Sequence, residues 1–309
     1  MAILFGDNAA NIFALIENSS NNYGLEDDRV AGLEATDVIW TGAGNDYLDG
    51  GAGDDNLSDG DGDDTVVGGS GDDYLIVGAG NDTYYGGEGI DALDFLYLHH
   101  GPGEKDAITS VAAETNTDGI RFDLASTAPQ NLGGLGTDRF FGFEDAFGTN
   151  GSDTLLGTSE ANLLFGQAGR DELNGRGGND DLSGGFGGDR LIGGRGADNI
   201  FTGSADGALD RVLYTSLLDS GVTAATRDNV FEFVRGQDRI DLRLIDADPS
   251  RSGNQAFRVV STFTNAPGEV RLVRSNGDTY IQVDGDRDTS IDMSIRVAGV
   301  SLTATDLIL

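Results

Sequence analysis

Aspartate recurs every nine residues along the first third of the chain, at Asp28, Asp37, Asp46, Asp55, Asp64, Asp73, Asp82 and Asp91. A second series holds Asp153, Asp171, Asp180, Asp189 and Asp198, with Asn162 where one carboxylate is replaced. A carboxylate is a hard oxygen donor, and calcium is the ion that such donors suit best. Paired carboxylates can also perform acid–base chemistry on a glycosidic bond. Counting acids does not exclude that, but aspartates set into a strict repeat are better employed as ligands.

The residues around each aspartate repeat with it. From Thr41 the chain divides into "TGAGNDYLD", "GGAGDDNLS", "DGDGDDTVV", "GGSGDDYLI", "VGAGNDTYY" and "GGEGIDALD". Position 2 is glycine throughout (Gly42, Gly51, Gly60, Gly69 and Gly78 in the first five), and so is position 4 (Gly44, Gly53, Gly62, Gly71 and Gly80 likewise). Position 6 is the aspartate, and position 8 is Leu48, Leu57, Val66, Leu75, Tyr84 and Leu93. Upstream, "YGLEDDRVA" and "GLEATDVIW" keep the aspartate and an apolar position 8 but lose the glycine at position 4. "GDNAANIFA", from Gly6, reads as an isolated N-terminal copy. From Gly148 a second array runs through "GTNGSDTLL", "GTSEANLLF", "GQAGRDELN", "GRGGNDDLS", "GGFGGDRLI" and "GGRGADNIF", and its last two units supply Gly185, Gly187, Gly194 and Gly196.

This pattern resembles the RTX (haemolysin-type) calcium-binding nonapeptide. The resemblance implies an all-β fold, a parallel β-roll in which two nonapeptides complete one coil. Positions 1 to 6 form a turn, where glycine permits positive φ and lets carbonyls point inward. The position-6 carboxylate joins those carbonyls around calcium, and positions 7 to 9 form a short strand with position 8 facing the core. In "GGSGDDYLI" the glycines shape the loop, Asp73 is the ligand, Leu75 fills the core and Asp72 faces solvent. Ions between loops of successive coils would number at most about ten across the two arrays, the Asn162 site being weakened. Without calcium the rows of carboxylates repel and disorder wins; with it, binding energy becomes folding energy.

Composition agrees. The chain of 309 residues has 19 basic and 53 acidic residues, a net charge of −34. Nucleic acid and anionic lipid are poor partners for such a chain, because both need basic patches. With no cysteine there are no disulfides, zinc–thiolate sites or thiol catalysis. The N-terminal stretch lacks a basic region and a long apolar run, so it does not read as a signal peptide. No stretch approaches the roughly 20 apolar residues of a membrane span.

Residues 95–147 break the period and read as connecting strands and an exposed excursion. In "DGIRFDLAS", Ile120, Phe122 and Leu124 alternate as a strand would. "GTDRFFGFEDAFG" resembles the long coil that re-enters the roll between RTX blocks, so the arrays at 1–94 and 148–201 are expected to form one interrupted solenoid. After Phe201 glycine thins out. "DNVFEFVRGQDRIDLRLIDAD" resembles the C-terminal domain of serralysin-type secreted proteases through Phe233, Gly236, Asp238, Ile240, Asp241 and Leu242. "FTNAPGEVRL" and the final 27 residues extend that resemblance over 202–309. The terminus Asp306-Leu307-Ile308-Leu309 resembles the uncleaved signal of type I secretion substrates. It implies the secretion machinery as a partner and an extracellular, bacterial location.

Asp284, Asp286, Asp288 and Asp292 echo the first nine positions of an EF-hand loop, with Thr289 where the turn glycine belongs and Ile295 where the glutamate belongs. The alternative is a polar turn between strands. A zinc protease of the serralysin type needs three histidines in H-E-x-x-H-x-x-G-x-x-H. This chain has two, His99 and His100, adjacent and outside any such motif, and it has no G-x-S-x-G nucleophile elbow. The expectation is a non-catalytic, secreted calcium-binding protein with a structural or adhesive role at a bacterial surface or in a matrix. Self-assembly and a cell-surface or glycan partner both remain open. The competing expectation is a stand-alone export and folding module of a serralysin-like protease or a polysaccharide-modifying enzyme. A pore-forming toxin fits poorly, since the single lysine is Lys105 and no long apolar helix is present.

Overall fold

The computed structural model describes residues 3–6, 9, 11–14, 27–95, 117–203 and 206–309. The two histidines, Lys105 and the excursion from Leu96 to Asn116 lie outside the described residues. Among the described residues every regular element is a strand, apart from two short 3-10 turns at Gly133–Leu135 and Ala304–Asp306. The β-roll expectation therefore stands. By internal contacts the chain forms two compact units, Met1–Ser152 and Asp153–Leu309.

In the first unit, odd-numbered and even-numbered nonapeptides supply separate parallel rows. One row stacks Ile3–Phe5, Arg29–Glu34, Tyr47–Ala52, Thr65–Ser70, Thr83–Glu88 and Thr137–Phe141. The other stacks Ile12–Ala14, Val38–Trp40, Asn56–Ser58, Tyr74–Ile76, Ala92–Asp94 and Asp145–Phe147. Register is the same at every step, so position 8 meets position 8. Val30, Leu48, Val66, Tyr84 and Phe140 form one apolar column, and Ile39, Leu57, Leu75, Leu93 and Ala146 form the other; all are buried. The alternation puts positions 7 and 9 on the outer face. Trp40, at position 9, lies half-buried there, and its indole N–H donates to Ser58 Oγ at 2.9 Å. The N-terminal copy from Gly6 is in register, with Phe13 opposite Ile39.

The period does not break where the sequence reading ended it. Gly133–Phe141 reads "GGLGTDRFF", a complete nonapeptide, and its strand pairs with Thr83–Glu88. A long insertion had shifted it off the nine-residue grid. Phe140 then closes an aromatic cluster with Phe95, Phe122 and Phe143. The strand carrying Phe122 spans only Arg121–Asp123, so Ile120 and Phe122 are buried while Leu124 sits half-buried in the following turn.

The second unit repeats the scheme. One row stacks Thr154–Leu156, Glu172–Gly177, Arg190–Arg195, Arg211–Leu213, Arg239–Asp241 and Leu307–Ile308. The other stacks Leu163–Phe165, Asp181–Ser183, Asn199–Phe201, Asn229–Phe231 and Met293–Val297. Thus the residues after Phe201 continue the coil with longer loops. Two antiparallel strands then extend that sheet: Asp278–Asp284 pairs with Met293–Val297, and Glu269–Ser275 pairs with Asp278–Asp284. They turn at Asn276-Gly277, both with positive φ, as a tight hairpin requires.

Glycine acts in two ways. Most of the position-2 and position-4 glycines have positive φ, among them Gly42, Gly44, Gly51, Gly53, Gly60, Gly62, Gly69, Gly71, Gly185, Gly187, Gly194 and Gly196. Gly78 and Gly80 lie outside the left-handed region, contrary to expectation. They are required for a different reason: a Cβ on Gly80 would stand 1.6 Å from the carbonyl oxygen of Gly62, and one on Gly78 would stand 2.0 Å from that of Gly60. Coils approach backbone to backbone, and any side chain forces them apart. Gly62→Ala, whose Cβ would meet Gly44 O at 1.7 Å, is expected to lower stability by about 3 kcal/mol or more. Gly277→Ala has open space around its Cβ and is expected to cost only about 1–2 kcal/mol for its positive φ. Thermal melts at saturating calcium check the contrast, and equal losses would remove close approach as the reason for the glycines.

Candidate calcium sites

The strand–turn alternation brings each position-6 aspartate directly above its counterpart one coil away. Each is buried, and beyond the first rung, Asp28 in one row and Asp153 in another, each Oδ1 accepts the backbone N–H of the equivalent residue in the preceding coil. In the first unit the N–H groups of Asp28, Asp46, Asp64 and Asp82 donate to Asp46, Asp64, Asp82 and Asp138. On the other side Asn11, Asp37, Asp55 and Asp73 donate to Asp37, Asp55, Asp73 and Asp91. That row ends with Asp91 N–H on Glu144 Oε2 at 3.0 Å. In the second unit Asp153, Asp171, Asp189 and Asp210 donate to Asp171, Asp189, Asp210 and Asp238. Asn162, Asp180 and Asp198 donate to Asp180, Asp198 and Asp228. All thirteen predicted aspartates occupy these rows.

Sequence reading missed five members: Asp138, Glu144, Asp210, Asp228 and Asp238. Four of them carried a legible signal, an aspartate followed two residues on by a buried apolar residue: Phe140, Val212, Val230 and Ile240. Position 5 was also under-read. Asp27, Asn45 and Asp63 accept the N–H of position 5 one coil later, at 3.0 Å each. Asp54 and Asp72 do the same for Asp72 and Ile90. Asp72 is exposed, as expected, but it also ties neighbouring coils together, in the direction opposite to the position-6 ladder.

The second oxygen of each position-6 carboxylate is different. Oδ2 is buried without a hydrogen-bond partner in Asp37, Asp55, Asp64, Asp73, Asp91, Asp138, Asp171, Asp180, Asp189 and Asp198. In all of these but Asp64 and Asp138 it lies beside the position-1 glycine of its own loop. A Cβ on Gly50 would stand 2.3 Å from Asp55 Oδ2 and 2.7 Å from the carbonyl oxygen of Gly68, and Gly175 is crowded in the same way by Asp180 Oδ2 and Gly193 O. Each loop thus gathers an anionic oxygen and backbone carbonyl oxygens with no donor among them. A buried acceptor left this way is costly, and a hard cation with six to eight oxygen ligands is the group that satisfies it. The residues fit calcium.

One site departs from the repeat. Asp59 replaces the position-1 glycine, and Tyr84 replaces the position-8 aliphatic residue. The two meet inside the roll: Tyr84 Oη donates to Asp59 Oδ2 at 2.5 Å and accepts Gly78 N–H at 3.1 Å. Asp59, Asp64 and Asp82 bring one carboxylate oxygen each within 4.8 Å of one another, all three residues buried. That loop offers a third carboxylate where the loops stacked before and after it carry Thr41 and Val77.

Burial raises the carboxyl pKa values of many ladder aspartates, with adjacent carboxylates adding to the rise and the ladder N–H groups opposing it. Asp55, Asp82, Asp91 and Asp189 are pushed up to about 6. Asp73, Asp138, Asp180 and Asp198 reach about 7, Asp171 about 8 and Asp64 about 9. Burial also holds Asp59 well above the usual carboxylate range, and the nearby Asp82 adds to it.

A family model described as the RTX calcium-binding nonapeptide repeat matches four times, over residues 23–57, 58–93, 147–182 and 183–206. The two arrays are RTX calcium-binding repeats. The matched RTX segments stop before Gly133–Phe141 and before the rungs at Asp210, Asp228 and Asp238, which the ladder adds. Among solved structures the chain is similar to the R3 subunit of a mannuronan C5-epimerase from Azotobacter vinelandii, at 24% identity over 54% of this chain and 80% of that one, with a TM-score of 0.23. No curated protein matches.

The raised pKa values fix a sign. A carboxyl whose folded pKa exceeds its unfolded value favours the fold fully below about pH 4 and loses that contribution as pH rises through its folded value. The calcium-free chain is therefore expected to gain β-sheet circular dichroism as pH falls from 8 to about 5.5, because protons take the place of the cation. The calcium-saturated chain is expected to change little over that range. A calcium-free signal that falls on acidification would contradict the carboxylate ladder as the source of calcium dependence.

Proposed function

We propose that this chain is an exported, non-catalytic solenoid that folds when it meets calcium outside the cell and serves there as a structural or adhesive element. The observation that carries the reading is the set of buried, unpartnered Oδ2 atoms repeated along both units. The position-6 aspartates are the ligands, and the inward carbonyls of the glycine loops complete each site. A polyanion of net charge −34 stays expanded where calcium is scarce. At calcium ten times a site's Kd, each ion contributes about 1.4 kcal/mol of folding free energy. About ten sites then contribute roughly 14 kcal/mol, the stability of a whole domain.

The C-terminus supports export of the unfolded chain. In the fold, Leu307 is the last rung of an apolar column, opposite Ile240. The Asp306 carboxylate is buried, accepts the N–H groups of Thr303 and Gly236, and lies 3.5 Å from Arg235 Nε. A secretion apparatus that reads Asp306-Leu307-Ile308-Leu309 must read it before folding hides it, which matches a trigger found only outside.

The test uses the full chain in chelator and in millimolar calcium, with size-exclusion chromatography, light scattering and circular dichroism on the same fractions. An expanded coil that becomes a compact or assembled β-rich species on adding calcium is the expected result. A chain already folded in chelator and indifferent to calcium would falsify the proposal.

A further inference from the structure

Outside the arrays, the hairpin between Asp278–Asp284 and Met293–Val297 gathers acid of its own. Asp284, Asp286 and Asp292 each bring a carboxylate oxygen within 4.8 Å of the others. Acid in a turn has an ordinary explanation, and part of it holds here. Asp284 Oδ1 accepts Asp286 N–H at 3.2 Å, Asp286 Oδ1 accepts Asp288 N–H at 2.9 Å, and Asp292 Oδ2 accepts Gly285 N–H at 2.7 Å. Asp288 turns instead to Ser290, accepting its N–H at 2.7 Å. One oxygen is left over. Asp284 is 0% exposed, and its Oδ2 has no hydrogen-bond partner. A turn built only for shape would place Asn or Ser there, since either keeps the Oδ1-type bond without burying an anionic oxygen beside two other carboxylates.

We propose that residues 284–292 form a single calcium site, separate from the nonapeptide loops, with Asp284, Asp286 and Asp292 as its carboxylate ligands. All three donors are hard oxygens, which selects calcium over thiophilic or imidazole-seeking metals. Their spacing places them at positions 1, 3 and 9 of a loop whose sixth residue must turn sharply. Thr289 occupies that sixth place with φ +65°, so a β-branched residue adopts the conformation that glycine supplies in such loops. The twelfth place is Ile295, a buried core residue, so the site lacks a bidentate glutamate and binds more weakly than a full EF-hand. Arg287, the one cation in the loop, faces away toward Asp248 and Ser250. The site would tie Asp278–Asp284 to Met293–Val297 across the turn that joins them.

This inference does not depend on the proposed export or surface role, and its test counts ions. Native mass spectrometry of the full chain, at a calcium level just saturating the parent, gives the number bound. Asp284→Asn, whose amide can donate to Asp286 and Asp292, is expected to fold and to carry one ion fewer. Asp286→Asn, at an exposed position and keeping an acceptor for Asp288 N–H, decides the matter if the first variant misfolds; it too is expected to lose one ion. Parent stoichiometry in every variant that folds overturns the site.

Discussion

Repulsion between stacked carboxylates is the constraint on which the rest of the structure depends. Adjacent coils in a parallel sheet lie about 4.8 Å apart. Two carboxylates at that separation repel by roughly 3 kcal/mol at an effective dielectric of 20. Burying a position-8 leucine or valine contributes only about 1.5–3 kcal/mol. Each coil adds one term of each kind per side, so the apolar columns alone roughly cancel the acid rows. Neutralisation, by calcium or by protons, therefore decides whether the columns assemble. Both units obey this balance separately, because each contains its own two ladders.

The same constraint explains the glycines. A cation can neutralise a row only if backbone carbonyls reach it, and carbonyls reach it only if the loops carry no side chains. Gly62, Gly80 and Gly136 each stand so close to the carbonyl of the coil beneath that a Cβ would overlap it. Position 1 is kept empty by the carboxylate itself, as Asp55 Oδ2 shows beside Gly50. The stacked row through Asp64 differs: position 1 there is Thr41, Asp59 and Val77, and Asp59 is accommodated by the hydroxyl that Tyr84 brings to position 8. Local choices at positions 25 residues apart thus answer one another across the core.

Much of this was legible in the sequence because the ligand, the turn and the core residue recur at fixed offsets. The nine-residue grid picks out thirteen aspartates and apolar partners that line up in the ladders and columns. It failed where spacing changed. Asp138 follows Asp82 after 56 residues, Asp210 follows Asp189 after 21, and Asp228 follows Asp198 after 30. A strand rung needs only the aspartate and the apolar residue two places on; the loop length between rungs is free, because insertions at a turn leave register untouched. Searching for that three-residue rung rather than the full nonapeptide would have recovered Asp138, Asp210, Asp228 and Asp238. Glu144 was beyond reach, since its rung carries Ala146 in place of a large apolar residue. Gly78 and Gly80 were assigned to the right loops for an incomplete reason: sequence shows that a side chain is missing, not whether φ or contact forbids it.

A parallel solenoid must also stop, and the second unit shows how. An exposed row of unpaired strand groups invites further pairing. One row ends on Leu307–Ile308, two residues long, too short to template much. The other passes from Met293–Val297 into antiparallel strands and ends on Arg258–Val259, again two residues. At this end the buried acids change partners. Glu269 lies against Arg258 and accepts Thr264 N–H, and Asp241 binds Arg243. Their carboxyl groups are held below the usual range even though burial opposes it, the reverse of the shift along the ladders. Acids that must wait for a cation in the coils are matched at the cap by arginines of the chain itself. The cap's ion pairs therefore need no calcium, and dependence on the cation is concentrated in the coils and in the Asp284 loop beside them.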